Sequence, residues 1–591
     1  MKKLFTEEPN LMRLIEIDKD FPRPDFRRRD WQSLNGEWDF AFGFDGEAKP
    51  AAVVFDKKIN VPFVYQSKLS GICSPEKHET VWYKKSFAVK KNLAKRNLRL
   101  VFGAVDYFAE VWLNGVRIGS HTGGYTQFDF DITPFVLSGE NTLIVKARDS
   151  FDRFLPRGKQ YCDGSPDRCW YEASTGIWQT VWLEAVGGVR LEHVLVTPNI
   201  KTGRASVEYF IKNPSADTSL KVWLGFKGKV LACNEYSVSG KVNRITLDIR
   251  EPDFVDENHY WSPERPNLFD LHLELVDNGA TVDEVSTYFG MREIEVRGGV
   301  IMLNNKPYYQ KLVLDQGYYE NSLLTPPDAD ALIYDLKTAK EFGFNGVRRH
   351  QVVSDPRFYH YADVFGLLVW EEIPSGYEFC FNEAEAFYSM AADLIRRDFN
   401  HPSVIVWCPM NESWGIRNVR YDKKQQDFVR ALYHIFKSFD GTRLVTCNDG
   451  WEVVGGDICA QHNYFAGGDE FKRQISDIQN YKTGAVSGCR MSLADGASVE
   501  NVPILLSEFG GISFCGDGGW GYCDAVKNED AFIERFGDIV GSVYGTDFLQ
   551  GFCYTQLTDV FQETNGLMKL NRELKLPIDK IKSILDKKRN Y

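Results

Sequence analysis

The stretch VIVWCPMNESWG, residues 404–415, decides the fold class of this chain. Its first four residues form an apolar run of the kind that makes a strand buried on both faces. The run ends in a turn that carries an amide and a carboxylate side by side, Asn411 and Glu412. A buried strand that finishes on such a pair is typical of an α/β fold that places functional residues at the ends of its strands.

Strands and helices alternate on both sides of this stretch. Residues 328–342 have helical spacing of apolar side chains, and a short strand at 346–348 follows them. A strand at 367–370 and a helix at 384–399 continue the pattern. The alternation predicts a C-terminal (β/α)8 TIM barrel over residues 294–591. A doubly wound open sheet is the structural alternative, but no glycine-rich phosphate-binding loop follows a strand.

The N-terminal half has the short strands and frequent turns of β-sandwich domains. The segment LRLVFGAVDYFAEVWLNG, residues 98–115, alternates apolar and polar side chains and ends in Asn-Gly, a strong hairpin signal. Residues 1–187 are predicted to form a jelly-roll β-sandwich. Residues 188–293 are predicted to form an immunoglobulin-like β-sandwich.

Composition excludes several classes of partner. The net charge is -12 and basic runs are short, so a nucleic-acid partner is not expected. No apolar run is long enough to span a bilayer, and the first residues lack the apolar core of a leader peptide. The 12 cysteines include no CxxC pair, which favours free thiols in a reducing compartment and a cytoplasmic location. The sequence leaves a homo-oligomer open.

A second strand ends on a carboxylate in the same way as the first. The stretch PILLSEFGG, residues 503–511, carries Glu508 after the apolar residues 504–506. Glutamates at the ends of two barrel strands can converge over one pocket, and a retaining glycosidase needs two carboxyl groups about 5–5.5 Å apart. One glutamate after a strand is usually a salt-bridge partner or a helix cap. Two such residues, one preceded by Asn411, favour the glycosidase.

The motifs together resemble glycoside hydrolase family 2. RGKQ (157–160) and WYEASTGIWQTVWLE (170–184) resemble its sugar-binding jelly-roll domain, and FGMR (289–292) resembles the end of its immunoglobulin-like domain. GFNGVRRH (343–350) and NHPSVIVWCPMNESWG (400–415) resemble its barrel. The resemblance implies a three-domain enzyme that hydrolyses terminal sugars of oligosaccharides or glycosides.

The resemblance also implies roles for individual residues. Glu412 matches the general acid/base and Glu508 the nucleophile. Asn411 matches the amide that holds the sugar 2-hydroxyl, and Tyr464 matches the tyrosine that contacts the nucleophile. Arg348 is a candidate cation for keeping Glu508 ionised, with a salt bridge at the barrel mouth as its alternative role.

Several positions depart from the family pattern. Asp315 stands where relatives have an imidazole that touches the sugar, and the Ser-His-Tyr-Pro run expected after Arg348 is replaced by a run containing His350. Thr555 replaces a tryptophan near the last strand. Trp520, in an aromatic loop after Glu508, is a candidate for stacking on a leaving-group sugar.

These departures leave the sugar open. The Asn-x-Lys pattern that grips a uronate is absent, and Glu563 in that region would repel one, so a neutral sugar is expected. β-Galactosidase is the default prediction. An α-L-arabinofuranosidase or β-D-galactofuranosidase, or a catalytically silent carbohydrate-binding protein, is the alternative. No cofactor or metal is expected, because His350 and His462 are the only rim histidines that the pattern supplies.

Overall fold

The structure is a computed structural model of the chain. It describes residues 19–43, 49–94, 96–162, 165–249, 259–475 and 490–587, together with 478, 482 and 484–487. The N-terminal residues of the predicted first domain and the last residues of the predicted barrel lie outside these ranges. The predicted domain limits stay predictions, while the three fold classes are confirmed.

The first domain is a sandwich of antiparallel sheets. Its strands β1–β12 are Trp31–Ser33, Gly36–Phe42, Lys57–Val61, Thr80–Ala88, Asn97–Phe102, Val105–Asp106, Phe108–Leu113, Val116–Thr122, Phe128–Asp131, Glu140–Arg148, Gly176–Ile177 and Val181–Val186. One sheet has the order β1-β12-β5-β9 and the other β3-β2-β4-β10-β7-β8. Alternate apolar side chains such as Val111, Val145 and Leu183 are buried in one cluster between them, as the two-residue period of a strand requires.

The second domain is a smaller antiparallel sandwich. Its strands β13–β21 are Arg190–Asn199, Arg204–Lys212, Ser219–Phe226, Lys229–Ser237, Val242–Asp248, Trp261–Ser262, Arg265–Pro266, Phe269–Asp277 and Ala280–Phe289. One sheet has the order β13-β14-β17 and the other β16-β15-β20-β21. Val207 and Leu273 belong to the buried cluster between the two sheets. This arrangement fits the immunoglobulin-like prediction.

The third domain is a barrel of parallel strands. After a small sheet of β22–β24 (Ile294–Arg297, Val300–Leu303, Lys306–Pro307), the strands β25–β34 are Gln310–Asp315, Gly346–Arg349, Leu368–Glu372, Val404–Cys408, Leu444–Val445, Cys459–His462, Ala485–Ser487, Arg490–Met491, Ile504–Gly510 and Leu549–Thr555. The barrel sheet has the order β29-β28-β27-β26-β25-β34-β33-β30, and its paired strands are parallel. The hairpin β31–β32 lies outside it.

Helices alternate with the barrel strands. The helices α1–α7 are Ala329–Glu341, Pro356–Phe365, Phe381–Asp398, Lys423–Phe439, Gly468–Ile475, Glu529–Tyr544 and Ile578–Leu585. Most predicted elements appear within a few residues of their expected ends. The main difference is β33, which continues through Glu508 to Gly510 instead of ending before Glu508. Among the described residues, none of the helices is long and apolar enough to cross a membrane.

The other domains close the barrel on two sides. Inward side chains such as Leu314 and Trp370 share one apolar cluster with Trp261 and Ile301, from the second domain and the small sheet. That cluster joins the interior of the barrel to the second domain and to the small sheet. At the opposite end, the first-domain loop between β10 and β11 lies on the barrel, and Trp170 Nε1 of this loop donates to the Tyr377 hydroxyl at 2.7 Å. The strand ends therefore open into a mouth partly covered by the first domain.

Candidate active site

Glu412 lies in a tight turn just after β28. Glu412 and Ser413 both have positive φ, 52° and 55°, a conformation that non-glycine residues keep only where their surroundings hold it. The Glu412 amide donates to Asp449 O at 2.8 Å, and Ser413 Oγ donates to Glu452 Oε2 at 2.7 Å. The turn directs the Glu412 carboxylate into the barrel mouth, with 17% of the side chain exposed.

Glu508 lies near the end of β33 and is held at both oxygens. Oε1 accepts a hydrogen bond from Arg348 Nη1 at 2.8 Å, and Oε2 accepts one from the Tyr464 hydroxyl. The side chain is 5% exposed. These contacts fix the carboxylate in one orientation at the strand end.

The two glutamates meet in the barrel mouth. An oxygen of Glu412, an oxygen of Glu508 and a ring nitrogen of His462 lie within 4.8 Å of one another. Counted from β25, Glu412 follows the fourth barrel strand and Glu508 lies near the end of the seventh. Two carboxyl groups this close can act on the same bound atom, one as a nucleophile and the other as an acid or base.

His462, on β30, connects the two carboxylates. Its Nδ1 lies 2.8 Å from Glu412 Oε1, and its Nε2 lies 2.6 Å from Asp449 Oδ1 and 3.4 Å from Glu508 Oε1. Burial acts to lower the pKa of His462, but Glu508, Asp449 and Glu412 raise it to about 9. The ring is therefore an imidazolium at neutral pH, and both nitrogens donate.

Arg348 is the central cation of the site and is fully buried. Its guanidinium donates to Glu508 and to Glu372, and Nη2 donates to Asn411 Oδ1 at 2.7 Å. Both roles expected for Arg348 are thus present, since it contacts Glu508 and also forms a salt bridge at the mouth. The Asn411 Nδ2 group has no partner among the described residues and is buried. An amide hydrogen is therefore available to a bound hydroxyl.

The charges set the protonation state of Glu508. Burial acts to raise its pKa, but His462, Arg348 and His350 together with the Tyr464 hydrogen bond lower it to about 2. Glu508 is therefore a carboxylate at neutral pH. An ionised carboxylate held near a second carboxyl group is what nucleophilic attack at a sugar carbon requires.

The same cluster offers three atoms that could hold a metal ion, one each from Glu412, His462 and Glu508. A histidine ligand must be neutral and must keep a lone pair free for the metal. In the structure both His462 nitrogens are instead engaged by carboxylate oxygens, Nδ1 by Glu412 Oε1 at 2.8 Å and Nε2 by Asp449 Oδ1 at 2.6 Å. The donor set fits a hydrogen-bonded network better than a metal site.

Comparisons with known proteins identify the family. Models of the glycosyl hydrolases family 2 match in order: the sugar binding domain at residues 31–183, the central family 2 domain at 189–292 and the TIM barrel domain at 294–539. Together they match most of the chain. The chain belongs to glycoside hydrolase family 2. The resemblance carried by the sequence motifs is thereby confirmed.

Curated relatives of this family 2 chain carry two kinds of name. A "Putative beta-glucuronidase" of Formosa agariphila is 26% identical over 412 residues, 67% of this chain and 48% of the relative. A "Beta-galactosidase" of Vibrio vulnificus is 27% identical over 476 residues, 74% of this chain and 41% of the relative. The chain thus spans about half the length of these relatives or less.

A solved structure shows the same fold over the whole length. The "GH2 beta-galacturonidase from Eisenbergiella tayi bound to glycerol" superposes with a TM-score of 0.74 at 20% identity, covering 96% of this chain and 98% of that one. This likeness supports the three-domain family 2 architecture.

Other predicted residues of the family 2 site lie around the two glutamates. The Tyr464 hydroxyl, besides donating to Glu508, lies 3.3 Å from Thr555 Oγ1. His350 Nδ1 lies 2.9 Å from Glu372 Oε2 and is buried. The structure thus brings Tyr464, Thr555 and His350 to the mouth together with Glu508.

Trp520 lies at the edge of the mouth. Its indole Nε1 donates to Arg168 O of the first domain at 3.1 Å. Its ring meets Tyr522 edge-on at 4.9 Å, and Tyr522 stacks on Tyr464 at 3.9 Å. Trp520 therefore belongs to an aromatic wall that begins at Tyr464, the hydrogen-bond partner of Glu508, and ends at the first-domain loop.

Asp315 is the predicted site residue that the structure does not bring to the site. Its carboxylate pairs with Arg349 and accepts from the Gly317 amide at 3.0 Å. Side chains alternate along β25, with Leu314 in the interior cluster and Val313 in the outer one. Asp315 therefore points outward, as Val313 does. Gln316, the next residue, takes the inward direction.

Glu563 is buried in the wall of the site and is already engaged. Its carboxylate accepts from the Tyr171 hydroxyl and from Asn565 Nδ2 at 3.2 Å. Gln316 Nε2 lies 3.4 Å from it. We expected Glu563 to repel a uronate, which requires a free carboxylate that faces the sugar. The structure shows instead that the Glu563 carboxylate is hydrogen-bonded to Tyr171 of the first domain.

Sequence reasoning named His462 only as a rim histidine and gave it no role beside the glutamates. It missed Gln316 and Lys159, whose Nζ lies 4.8 Å from the centroid of the Trp414 ring. A signal for His462 was present, because it lies two residues before Tyr464 and so shares its side of an extended chain. Lys159 belongs to the motif RGKQ (157–160) of the first domain, but no local pattern placed that motif at the mouth of the barrel.

Proposed function

We propose that this chain is a retaining exo-glycosidase that releases a terminal sugar by double displacement. Glu508 attacks the anomeric carbon while Glu412 gives its proton to the departing oxygen. Water then gives a proton to Glu412 and its oxygen to the same carbon, and the bond to Glu508 breaks. The observation that carries the proposal is the approach of Glu412 and Glu508 to within 4.8 Å.

The surroundings support distinct roles for the two carboxyl groups. Glu508 has a lowered pKa and two hydrogen-bond donors, as suits the nucleophile. The Glu412 side chain is 17% exposed against 5% for Glu508, so Glu412 is the one that a departing oxygen and an incoming water can reach more readily. The free Nδ2 of Asn411 is placed to bind the sugar 2-hydroxyl beside them.

For the sugar, β-galactoside is retained as the default, with α-L-arabinofuranoside and β-D-galactofuranoside as alternatives. The relatives named as β-galactosidases support the first. The replacement of a tryptophan by Thr555 beside Tyr464 keeps the furanosides open. A carbohydrate-binding protein without activity is disfavoured by the intact pair of carboxyl groups.

Trapping of a covalent intermediate tests the mechanism. A 2-deoxy-2-fluoro glycoside with a good leaving group slows hydrolysis of the glycosyl-enzyme, so the sugar stays on the nucleophile. Peptide mass spectrometry should find the added sugar on Glu508. A label on another carboxyl group would contradict the assignment. If the protein hydrolyses a glycoside but the matching fluorosugar labels no carboxyl group, the retaining mechanism is contradicted.

A panel of nitrophenyl glycosides tests the sugar. It contains the β-galactopyranoside, β-mannoside, β-glucuronide, β-galacturonide, α-L-arabinofuranoside and β-galactofuranoside. Fastest turnover of the β-galactopyranoside supports the default. The Glu412→Gln, Glu508→Gln double variant is the control for background hydrolysis.

A further inference from the structure

The turn that carries Glu412 is held by groups outside the turn itself. Glu412 and Ser413 are consecutive residues with positive φ, 52° and 55°. Non-glycine residues adopt this conformation at a cost in free energy and keep it only where neighbouring groups hold it. The direction of the Glu412 carboxylate therefore depends on the groups that bind the turn, and most of these bind Ser413.

Ser413 is fixed at its amide and at its hydroxyl. The amide donates to Asn448 Oδ1 at 3.1 Å, and Asn448 Nδ2 donates to Ser413 Oγ at 2.9 Å. The same Oγ donates to Glu452 Oε2 at 2.7 Å. Ser413 is fully buried, so a hydroxyl that accepts one bond and donates another has a single orientation.

Glu452 is itself held by a cation from another segment. Its side chain is 5% exposed, and Arg490 Nη1 lies 3.1 Å from Oε1 and 3.2 Å from Oε2. A buried carboxylate needs such a partner. A hydrogen bond to a carboxylate in a salt bridge is also stronger than one to a neutral acceptor. Arg490 therefore strengthens the contact between Glu452 and Ser413.

Arg490 belongs to the hairpin β31–β32, which lies outside the barrel sheet. The hairpin and the chain beyond it also bind the segment of Glu452 through the backbone. The Glu452 amide donates to Met491 O at 2.7 Å, and the Val453 amide donates to Ser492 O at 3.0 Å. The hairpin thus reaches the turn of the proposed acid through a chain of direct contacts.

We infer that Glu452 is a positioning residue for the proposed acid: together with Arg490 it holds Ser413 and thereby fixes the direction in which Glu412 presents its proton. This inference rests on the proposed function. The donors that hold the nucleophile Glu508 come from other segments. Loss of Glu452 should therefore impair proton donation and leave nucleophilic attack intact.

The test uses Glu452→Gln, Ser413→Ala, Arg490→Met and Arg490→Lys. The substrates are aryl glycosides of the preferred sugar, from phenyl, a poor leaving group, to 2,4-dinitrophenyl, which departs without a proton. The readout is kcat/KM, which reports the first step of the reaction. Melting curves of all variants show whether they fold.

Asp457→Asn is the matched control. Asp457 is a partly buried barrel carboxylate that, like Glu452, accepts from one hydroxyl and one basic side chain. The donors are the Tyr433 hydroxyl at 2.8 Å and Lys437 Nζ at 3.1 Å. Asp457 precedes β30, whereas His462 of the site ends that strand. The control therefore measures the loss of a similar structural contact away from the acid.

We expect Glu452→Gln, Ser413→Ala and Arg490→Met each to lower kcat/KM on the phenyl glycoside by about 10- to 100-fold, because a misdirected acid protonates the departing oxygen poorly. The 2,4-dinitrophenyl glycoside should lose less than about 3-fold. Arg490→Lys should restore part of the loss. The rate at which a 2,4-dinitrophenyl fluorosugar labels Glu508 should stay unchanged.

Two outcomes overturn the inference and leave the proposed function standing. One is an equal loss on the phenyl and 2,4-dinitrophenyl glycosides, which a purely structural role of Glu452 predicts. The other is a loss no larger than that of Asp457→Asn. Arg490→Met carries the same expectation at a side chain that is 38% exposed, so it decides the matter if Glu452→Gln does not fold. Absence of both turnover and labelling in the unchanged protein overturns the proposed function as well.

Discussion

At the scale of single residues, the site depends on two pKa shifts in opposite directions, a lowered pKa for Glu508 and a raised pKa for His462. Glu508 is kept ionised by His462 and Arg348, while His462 is kept protonated by the carboxylates around it. Each charge is stabilised by its neighbours because the group is buried, where charge interactions are stronger than in water. Removing one of these charged side chains should therefore change the pKa values of the others.

Glu412→Gln should lower kcat by about 10²- to 10⁴-fold on glycosides with poor leaving groups, because the amide cannot donate a proton to the departing oxygen. Glycosides of 2,4-dinitrophenol need no such proton and should lose far less in the first step. A series of aryl glycosides with leaving groups of different pKa measures this dependence. Glu385→Gln, at an exposed residue of α3, is the control. A uniform loss across the series would contradict the role of Glu412 as acid.

Arg348→Met should destabilise the protein by about 3–5 kcal/mol, because Glu372 and Glu508 then lose their shared buried cation. It should also raise the pKa of Glu508, so the acidic limb of the kcat/KM profile should move to higher pH. A pH series of rates and unfolding midpoints measures both effects.

The sign of the stability effect follows from the lowered pKa of Glu508. The ionised Glu508 carboxylate contributes to the free energy of unfolding above its ordinary pKa of 4.5, and this contribution is lost as the pH falls toward about 2. The difference in stability between the unchanged protein and Arg348→Met should therefore narrow from pH 4.5 downward. Arg349→Met breaks the outward ion pair with Asp315 and is the matched control. An identical pH profile in both variants would refute the special link to Glu508.

At the scale of elements, the alternation along a strand decides which residues reach the site. The sequence predicted the strand that ends at Asp315, but not which of its side chains point inward. Because side chains change face at every residue, an error of one position exchanges the inward and outward sets. Asp315 and Gln316 show this: the first pairs with Arg349 outside the barrel, and the second faces the wall of the site.

The last residue of β33, Gly510, lies where only glycine fits without strain. Gly510 has φ +92°, and a Cβ there would lie 2.3 Å from the Tyr554 ring on β34. Gly510→Ala should cost about 1–3 kcal/mol through backbone strain and should lower kcat, because Glu508 lies two residues away. Calorimetry and nitrophenyl glycoside kinetics measure the two effects.

Gly541 on α6 offers the matched control for this prediction. It is exposed, and a Cβ there would meet nothing within 4 Å. Gly541→Ala should therefore stabilise the helix by about 0.5–1 kcal/mol and leave kcat unchanged. A Gly510→Ala variant that behaves in the same way would show that the strand end is not under strain.

At the scale of the whole molecule, the domains are joined by buried charges as well as by apolar contacts. Arg28 lies 3.1 Å from Glu184 of the first domain and 3.0 Å from Asp283 of the second, and its side chain is 2% exposed. Because both carboxylates are buried with it, the three charges form one unit across the boundary.

Arg28→Met should lower the stability of this interface by about 3–5 kcal/mol, since two buried carboxylates lose their cation. Calorimetry should show a lower first transition. The kcat/KM at room temperature should stay unchanged, because Arg28 precedes β1 and contacts the boundary between the first two domains rather than the two glutamates of the site. Arg244→Met removes an exposed pair with Glu208 and should change stability by less than about 1 kcal/mol. Equal effects of the two variants would refute the structural role of Arg28.

The sequence by itself determined the order of fold classes, the family and the two glutamates. Strand and helix periods are local properties, and the positions of Glu412 and Glu508 beside buried strands can be found from neighbouring residues alone. Only the tertiary structure decided that His462 joins the two carboxylates, that Asp315 faces away, and that Lys159 enters the mouth from another domain. Those outcomes depend on the face of each strand and on contacts between segments distant in the chain, which no local pattern of residues specifies.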